Sequence, residues 1–176
     1  KNKKKVVFIS GHFNNFELMA MHLENSGLNV AAIYRPLNNI FLNGIMEKIR
    51  LNHICKKQIK KGKSGTRELL QVFKDGYSIA LMIDQRVSEG IKSKFFNRSA
   101  LTTTIPAQLV KKYNVEVVPV YIERKNGVYF KMQINKPILF NENKSFEEIT
   151  DRLNKILEEM ILKNPDQWIW SHDRWK

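Results

Sequence analysis

The chain is 176 residues long, the length of one ordinary domain, and is 43% hydrophobic and 27% charged, which is a globular composition and not a disordered one. Its 30 Lys and Arg against 17 Asp and Glu give a formal net charge of +13. That excess favours an anionic partner, whether nucleic acid, a membrane surface or an acidic protein or substrate. A single cysteine, Cys55, excludes an internal disulfide and points to a reducing compartment. No apolar run reaches the length needed to span a bilayer. The first residue is Lys1, directly before a strand, so the chain is expected to be a fragment with any anchor lying upstream.

Val6-Val7-Phe8-Ile9 predicts a strand over about 5–10. Phe16, Met19, Ala20 and Leu23 then fall on one helical face, predicting a helix over about 14–26 that stops at Gly27. The junction Ser10-Gly11-His12-Phe13-Asn14-Asn15-Phe16-Glu17 places a histidine and a glutamate at the end of a strand. Open α/β sheets bind ligands there. Two readings stay open at this point. One is a functional pair; the other is a capping box with Asn14 as N-cap and Glu17 at N3, leaving His12 an ordinary loop residue. Positions five apart do not share a helix face. His12 therefore meets Glu17 only from the turn, folded back over the first helical turn, which Gly11 permits.

Val30–Tyr34 predicts a second strand, closed by Arg35-Pro36, and Pro36 cannot continue a ladder, so Arg35 falls at the strand end. Residues 38–53 carry helical spacing, with Gly44 as a weak spot. This alternation predicts an α/β fold with a central mixed, mostly parallel sheet flanked by helices. Lys56, Lys57, Lys60, Lys61 and Lys63 form either a solvated face or an anion-docking patch. A helix over 66–74, a turn at Asp75-Gly76 and a buried strand over 77–83 follow, ending at Asp84-Gln85-Arg86.

Residues 87–104 read as a loop region in which Lys92, Lys94, Phe95, Phe96 and Arg98 interleave. It either contacts a phosphorylated or lipid ligand or completes the core. Pro106 opens a helix to about Tyr113. Strands over 115–123 and 127–134 are joined through Asn126-Gly127, a strong hairpin signal. Ser145 and Glu148 form a capping box for a helix ending before Pro165, and an aromatic, charged tail closes the chain. There are no repeats and no low-complexity linker, so a single domain is expected.

Several chemistries are set aside. The sequence has no phosphate-binding glycine loop, no metal-ligand spacing among its four histidines, and no Gly-x-Ser-x-Gly elbow. Neighbouring lysines could lower the pKa of Cys55, but a lone cysteine is weak evidence for a nucleophile. What remains is a histidine–carboxylate pair without a protein nucleophile. That suits general-base activation of a substrate hydroxyl for attack on an activated acyl group, with the oxyanion held by backbone N–H groups or an arginine.

Gly11-His12-Phe13-Asn14-Asn15-Phe16-Glu17 resembles the H-x4-D/E motif of the bacterial lipid A biosynthesis lauroyl/myristoyl acyltransferases. The motif alone is loose and is shared with glycerolipid acyltransferases, but its companions follow in the family's order. They are Tyr34-Arg35-Pro36, Asp84-Gln85, Phe95-Phe96, Thr102 to Pro106, and Val117-Val118-Pro119. The ending, Asp166-Gln167-Trp168-Ile169-Trp170-Ser171-His172-Asp173-Arg174-Trp175-Lys176, resembles the family's P-E-Q-Y-x-W-x-H-R-R-F/W-K. The resemblance covers about residue 5 to 176.

It implies a glycerol-3-phosphate acyltransferase-like fold with His12 as general base and Glu17 as its partner. It also implies Arg35, Asp84, Gln85, Arg86 and Arg174 as substrate-binding residues, an acyl-carrier-protein thioester as donor and a lipid A precursor as acceptor. No metal or cofactor is expected, and the implied setting is the cytoplasmic face of the inner membrane, with a membrane-anchor region missing from this chain. Members commonly have Gly where this chain has Asn14, Trp where it has Phe16, and Arg where it has Asp173. These departures leave the acceptor open. Transfer to another glycolipid or to a lysophospholipid is the alternative within the same chemistry, although no Phe-Pro-Glu-Gly-Thr-Arg block is present. A basic nucleic-acid-binding module is the alternative from another class, without a matching motif.

Overall fold

The structure is a computed structural model describing residues 4–176. In chain order its elements are β1 (Val7–Ser10), α1 (Glu17–Asn25), β2 (Val30–Tyr34), α2 (Ile40–Ile49), a π-helical turn (Arg50–Ile54) and β3 (Lys57–Lys60). They continue with α3 (Lys63–Lys74), β4 (Ser78–Met82), β5 (Ile91–Phe95), β6 (Arg98–Thr102) and α4 (Ile105–Tyr113). The last are β7 (Val117–Asn126), β8 (Tyr129–Ile134), α5 (Phe146–Lys163) and a 3-10 turn (Pro165–Gln167). The class is α/β with a mostly parallel strand set, as the sequence predicts. No described helix is long and apolar enough to cross a membrane.

Two compact units divide the chain, one holding Val6 and the described residues before it with Glu17–Leu81, the other Val7–Phe16 with Met82–Lys176. In the first unit β2 runs parallel to both β3 and β4, with Ala31 opposite Lys57 on one side and Ile79 on the other. Val30, Ala31, Ile59, Leu69, Phe73 and Ile79 are buried in its core. β3 is a strand that the lysine-rich sequence conceals. Ile59 points inward while Lys60 is exposed, the alternation of an edge strand whose outward positions carry charge. Where β3 meets α3 the backbones touch: a Cβ on Gly65 would lie 1.9 Å from the Lys60 carbonyl oxygen, so only glycine fits.

In the second unit β1 pairs parallel with β7, Val7 opposite Val117, and β7 pairs antiparallel with β8. Val7, Phe8 and Ile9 are all buried, as in a strand covered on both faces. The β7–β8 hairpin forms where the sequence places it, but β7 runs on to Asn126, which pairs with Tyr129, so the turn is Gly127-Val128, one residue later than Asn126-Gly127, with Gly127 at φ 48°. The capping box at Ser145 and Glu148 also forms. From it α5 runs over the core, burying Ile149, Leu153, Leu157, Met160 and Ile161.

The loop expected over 87–104 is largely a β-hairpin. β5 and β6 pair antiparallel from Ile91–Thr102 to Phe95–Arg98, turning through Phe96 and Asn97 at φ 48° and 60°. Two central residues with positive φ suit a tight hairpin, but a phenylalanine there is unusual. Its N–H donates to Glu158 Oε1 at 2.8 Å, which anchors the turn on α5. Phe95 is fully buried and stacks on Trp175, so it completes the core.

Candidate active site

The second unit builds a site around the end of β1. Ser10 is fixed by its hydroxyl donating to the Val120 carbonyl at 2.6 Å, and its own carbonyl accepts from Ile83 N–H at 3.0 Å. That pairing sets Asp84 beside Gly11 and His12. A Cβ on Gly11 would meet Leu157 Cδ1 at 3.0 Å and the Asp84 carboxylate at 3.3 Å. Glycine is what lets the carboxylate approach the backbone.

Asp84, 3% exposed, accepts three hydrogen bonds. The His12 backbone N–H donates to Oδ2 at 2.6 Å, the His12 ring nitrogen Nδ1 lies 2.7 Å from Oδ1, and the Trp168 indole N–H donates to Oδ2 at 2.9 Å. Burial alone pushes the Asp84 pKa up. Hydrogen bonds from the His12 ring, the His12 backbone N–H and the Trp168 indole outweigh that, holding the carboxyl below the usual value. An ionised carboxylate at Nδ1 makes that nitrogen the proton carrier, which leaves Nε2 with its lone pair. No described residue bonds Nε2, and the side chain is 18% exposed. Phe16 packs edge-on against the ring at 4.6 Å, fixing its plane.

The backbone after His12 is clamped by the C-terminal tail. The His12 carbonyl accepts from Ile169 N–H at 3.0 Å, and Asn14 N–H donates to the Gln167 carbonyl at 2.8 Å. Asn14 sits at φ 41°, a left-handed conformation that asparagine tolerates. This accounts for asparagine in place of the family's glycine. Asn14 Oδ1 accepts from Arg124 Nε at 3.1 Å, so Asn14 is not the N-cap that a capping box requires.

Glu17 belongs to the first unit and bonds elsewhere. Its Oε1 accepts from Arg50 at 2.7 Å and 3.0 Å, an ion pair with both side chains partly covered. Arg50 also lies 5.5 Å from the centre of the Tyr34 ring. The carboxylate seated on His12 Nδ1 is thus Asp84, where the sequence reading gave that place to Glu17. A partner five residues along the chain is nearer in sequence, but the Ile83 N–H bond to the Ser10 carbonyl brings one from 72 residues away.

Arg35 is exposed at the end of β2 in the first unit, and Gln85 is half-buried in the second. Arg86 N–H donates to His172 Nε2 at 3.0 Å, and its Nε is buried without a described partner. Accepting that bond needs a neutral imidazole. Burial, with the positive charge of Arg174 and against the opposing Asp84, holds the His172 pKa below its ordinary value. Arg174, expected to bind substrate, is instead fully buried. Its amino groups donate to the Leu101 carbonyl and Thr102 Oγ1, and it lies 5.2 Å from the Phe95 ring centre. Burial brings its pKa down to about 10. It ties the tail to the β5–β6 hairpin.

Cys55 is buried, and burial pushes its thiol up to about 11. This reverses the lowering expected from the adjacent lysines. Trp168 and His172 are the site residues that spacing alone does not reveal. Their sequence signal is the C-terminal block that resembles the family motif, in which His172 stands at the motif's histidine.

The site is thus an imidazole seated on a buried aspartate at the end of a strand of an α/β protein. The chain belongs to the bacterial lipid A biosynthesis acyltransferase family, whose pattern matches residues 1–176. It is similar to a lipid A biosynthesis acyltransferase of Haemophilus influenzae, with 27% identity over 179 residues, covering 99% of this chain and 56% of that protein. The chain therefore spans about half the length of the curated relative it matches.

Proposed function

We propose that the protein is an O-acyltransferase that moves a fatty acyl group from an acyl-carrier-protein thioester to a hydroxyl of a lipid A precursor. Its proposed setting is the cytoplasmic face of the inner membrane. The observation that carries this reading is the 2.7 Å contact between His12 Nδ1 and Asp84 Oδ1, which leaves Nε2 free to act as a base. Family membership supplies the chemistry that such a base would serve. The formal charge of +13 suits two anionic substrates.

In the proposed reaction, His12 Nε2 takes the proton of the acceptor hydroxyl as that oxygen attacks the thioester carbonyl. Asp84 stabilises the imidazolium that forms, without itself being protonated. The tetrahedral intermediate collapses, the C–S bond breaks, and the imidazolium returns its proton to the leaving thiolate. The products are an ester and the free carrier thiol. Arg86, with an Nε–H that no described residue accepts, is the proposed cation for the developing oxyanion. Arg35 and Gln85 are proposed to bind substrate. Glu17 is assigned a positioning role through Arg50, not direct contact with the imidazole.

The test is to incubate the protein with acyl-carrier-protein thioester and a lipid A precursor and to follow the acceptor by mass spectrometry. The expected product is heavier by one acyl group, and His12→Ala removes it. A full rate in that variant, or no product from the wild type, overturns the proposal. A lysophospholipid acceptor in parallel separates the nearest alternative.

A further inference from the structure

Helix α2 is built inside out. It buries none of its ten residues, yet it is held firmly. Asn39 caps it, accepting from Phe41 N–H at 3.0 Å and Leu42 N–H at 3.1 Å. Two of its polar side chains, Asn43 and Glu47, face the protein. Glu47 Oε1 accepts from Tyr34 Oη at 2.7 Å and from Asn43 Nδ2 at 2.9 Å, while Asn43 Oδ1 accepts from Leu37 N–H at 2.9 Å. The apolar side chains face out: Phe41 is 81% exposed, Ile45 57%, Leu42 53% and Ile49 41%. At helical spacing these four fall within an arc of about 100°.

Seven of the fifteen exposed large hydrophobic residues among the described residues lie within Leu37–Leu51, so this is a patch and not a scatter. Its surroundings are basic. Between Val30 and Lys63 the sequence holds eight Lys or Arg against one acid, Glu47, and Glu47 is spent on Tyr34. Arg35, Lys48, Lys56, Lys60 and Lys61 are exposed.

We infer that α2 docks on an anionic lipid bilayer, its Phe41–Ile45–Ile49 arc entering the headgroup–acyl boundary while the flanking Lys and Arg bind lipid phosphates. A helix with apolar residues on one side and Lys and Arg around it is the pattern of interfacial helices, and basic residues beside it gain from an anionic leaflet. The core of a protein interface is by contrast depleted in lysine. The inference rests on the proposal that the chain works on lipid at a membrane. Its test reads binding with no acyl donor present, so failure here is distinct from failure of the chemistry.

Co-sedimentation with vesicles of phosphatidylglycerol and phosphatidylcholine is expected to retain the wild-type chain, and vesicles of phosphatidylcholine alone to retain much less. Phe41→Ser with Ile45→Ser removes two exposed side chains from the arc, so partitioning falls about tenfold or more while the thermal melt stays unchanged. Lys56→Glu with Lys60→Glu weakens binding to the anionic vesicles only, and Leu139→Ser, an exposed apolar residue elsewhere, changes nothing. Phe41→Cys carrying an environment-sensitive dye is expected to shift its emission to the blue on vesicle addition, since Cys55 is buried and stays unlabelled. Undiminished binding in the Phe41/Ile45 variant, or no emission shift, overturns the inference. An apolar arc that responds to a protein partner and not to vesicles overturns it equally.

Discussion

Asp84 and Glu17 are both carboxylates at the edge of a regular element, and the chain uses them in different ways. Asp84 is buried, takes three donors and seats a histidine ring. Glu17 has a side chain 27% exposed and opposes one arginine. A buried carboxylate held by three donors has little freedom to turn and fixes whatever it touches. The Glu17–Arg50 pair, at 27% and 12% side-chain exposure, is largely covered but joins Glu17 to a single partner. Orientation of the His12 ring thus falls to Asp84, while Glu17 holds Arg50 alone.

Three substitutions set the two against each other. His12→Ala removes the base both are expected to serve, and the acyl-transfer rate should fall by about three orders of magnitude, within the span of general-base catalysis. Asp84→Asn keeps the shape but reverses the demand on Nδ1, and a loss of about two orders in kcat is expected with little change in KM. Glu17→Gln should cost about tenfold or less, since the ion pair it weakens is partly exposed, and the loss should appear in the acceptor KM. A Glu17 effect on kcat as large as that of Asp84 would reverse the assignment.

A smaller effect is read in stability. Because the folded-state pKa of Asp84 lies below its ordinary value, its contribution is present above about pH 4, the unfolded value. It is lost as pH falls through the folded value. The urea midpoint of the wild type should therefore drop more steeply in acid than that of Asp84→Asn. Parallel curves would mean that Asp84 is not held ionised by its neighbours.

Much of this was legible from residues. The apolar run before Ser10, the Ser145–Glu148 cap and the Asn126-Gly127 turn each announce an element locally, because each rests on interactions within a few residues. β3 did not, since in four residues it buries only Ile59 and its two lysines hide that single apolar position. The β5–β6 turn lacks the usual glycine, and Phe96 is held in its conformation by Glu158, far along the chain. Spacing identified His12 as a candidate but not its carboxylate partner, because a parallel sheet pairs residues by strand order and not by sequence distance. Periodicity also marks α2 and α5 alike as amphipathic. Only the partners of Asn43 and Glu47 reveal that α2 turns its polar side inward.

The indole of Trp168 is buried and donates directly to Asp84, which gives the site a fluorophore of its own. Indole emission depends on the charge and hydrogen bonding at its nitrogen, so protonating the carboxylate or replacing it alters the spectrum without any added label. Trp168→Phe removes that signal, while Trp170 and Trp175 remain as background from other environments. The charge state of Asp84 can thus be followed by emission spectroscopy before any substrate is supplied.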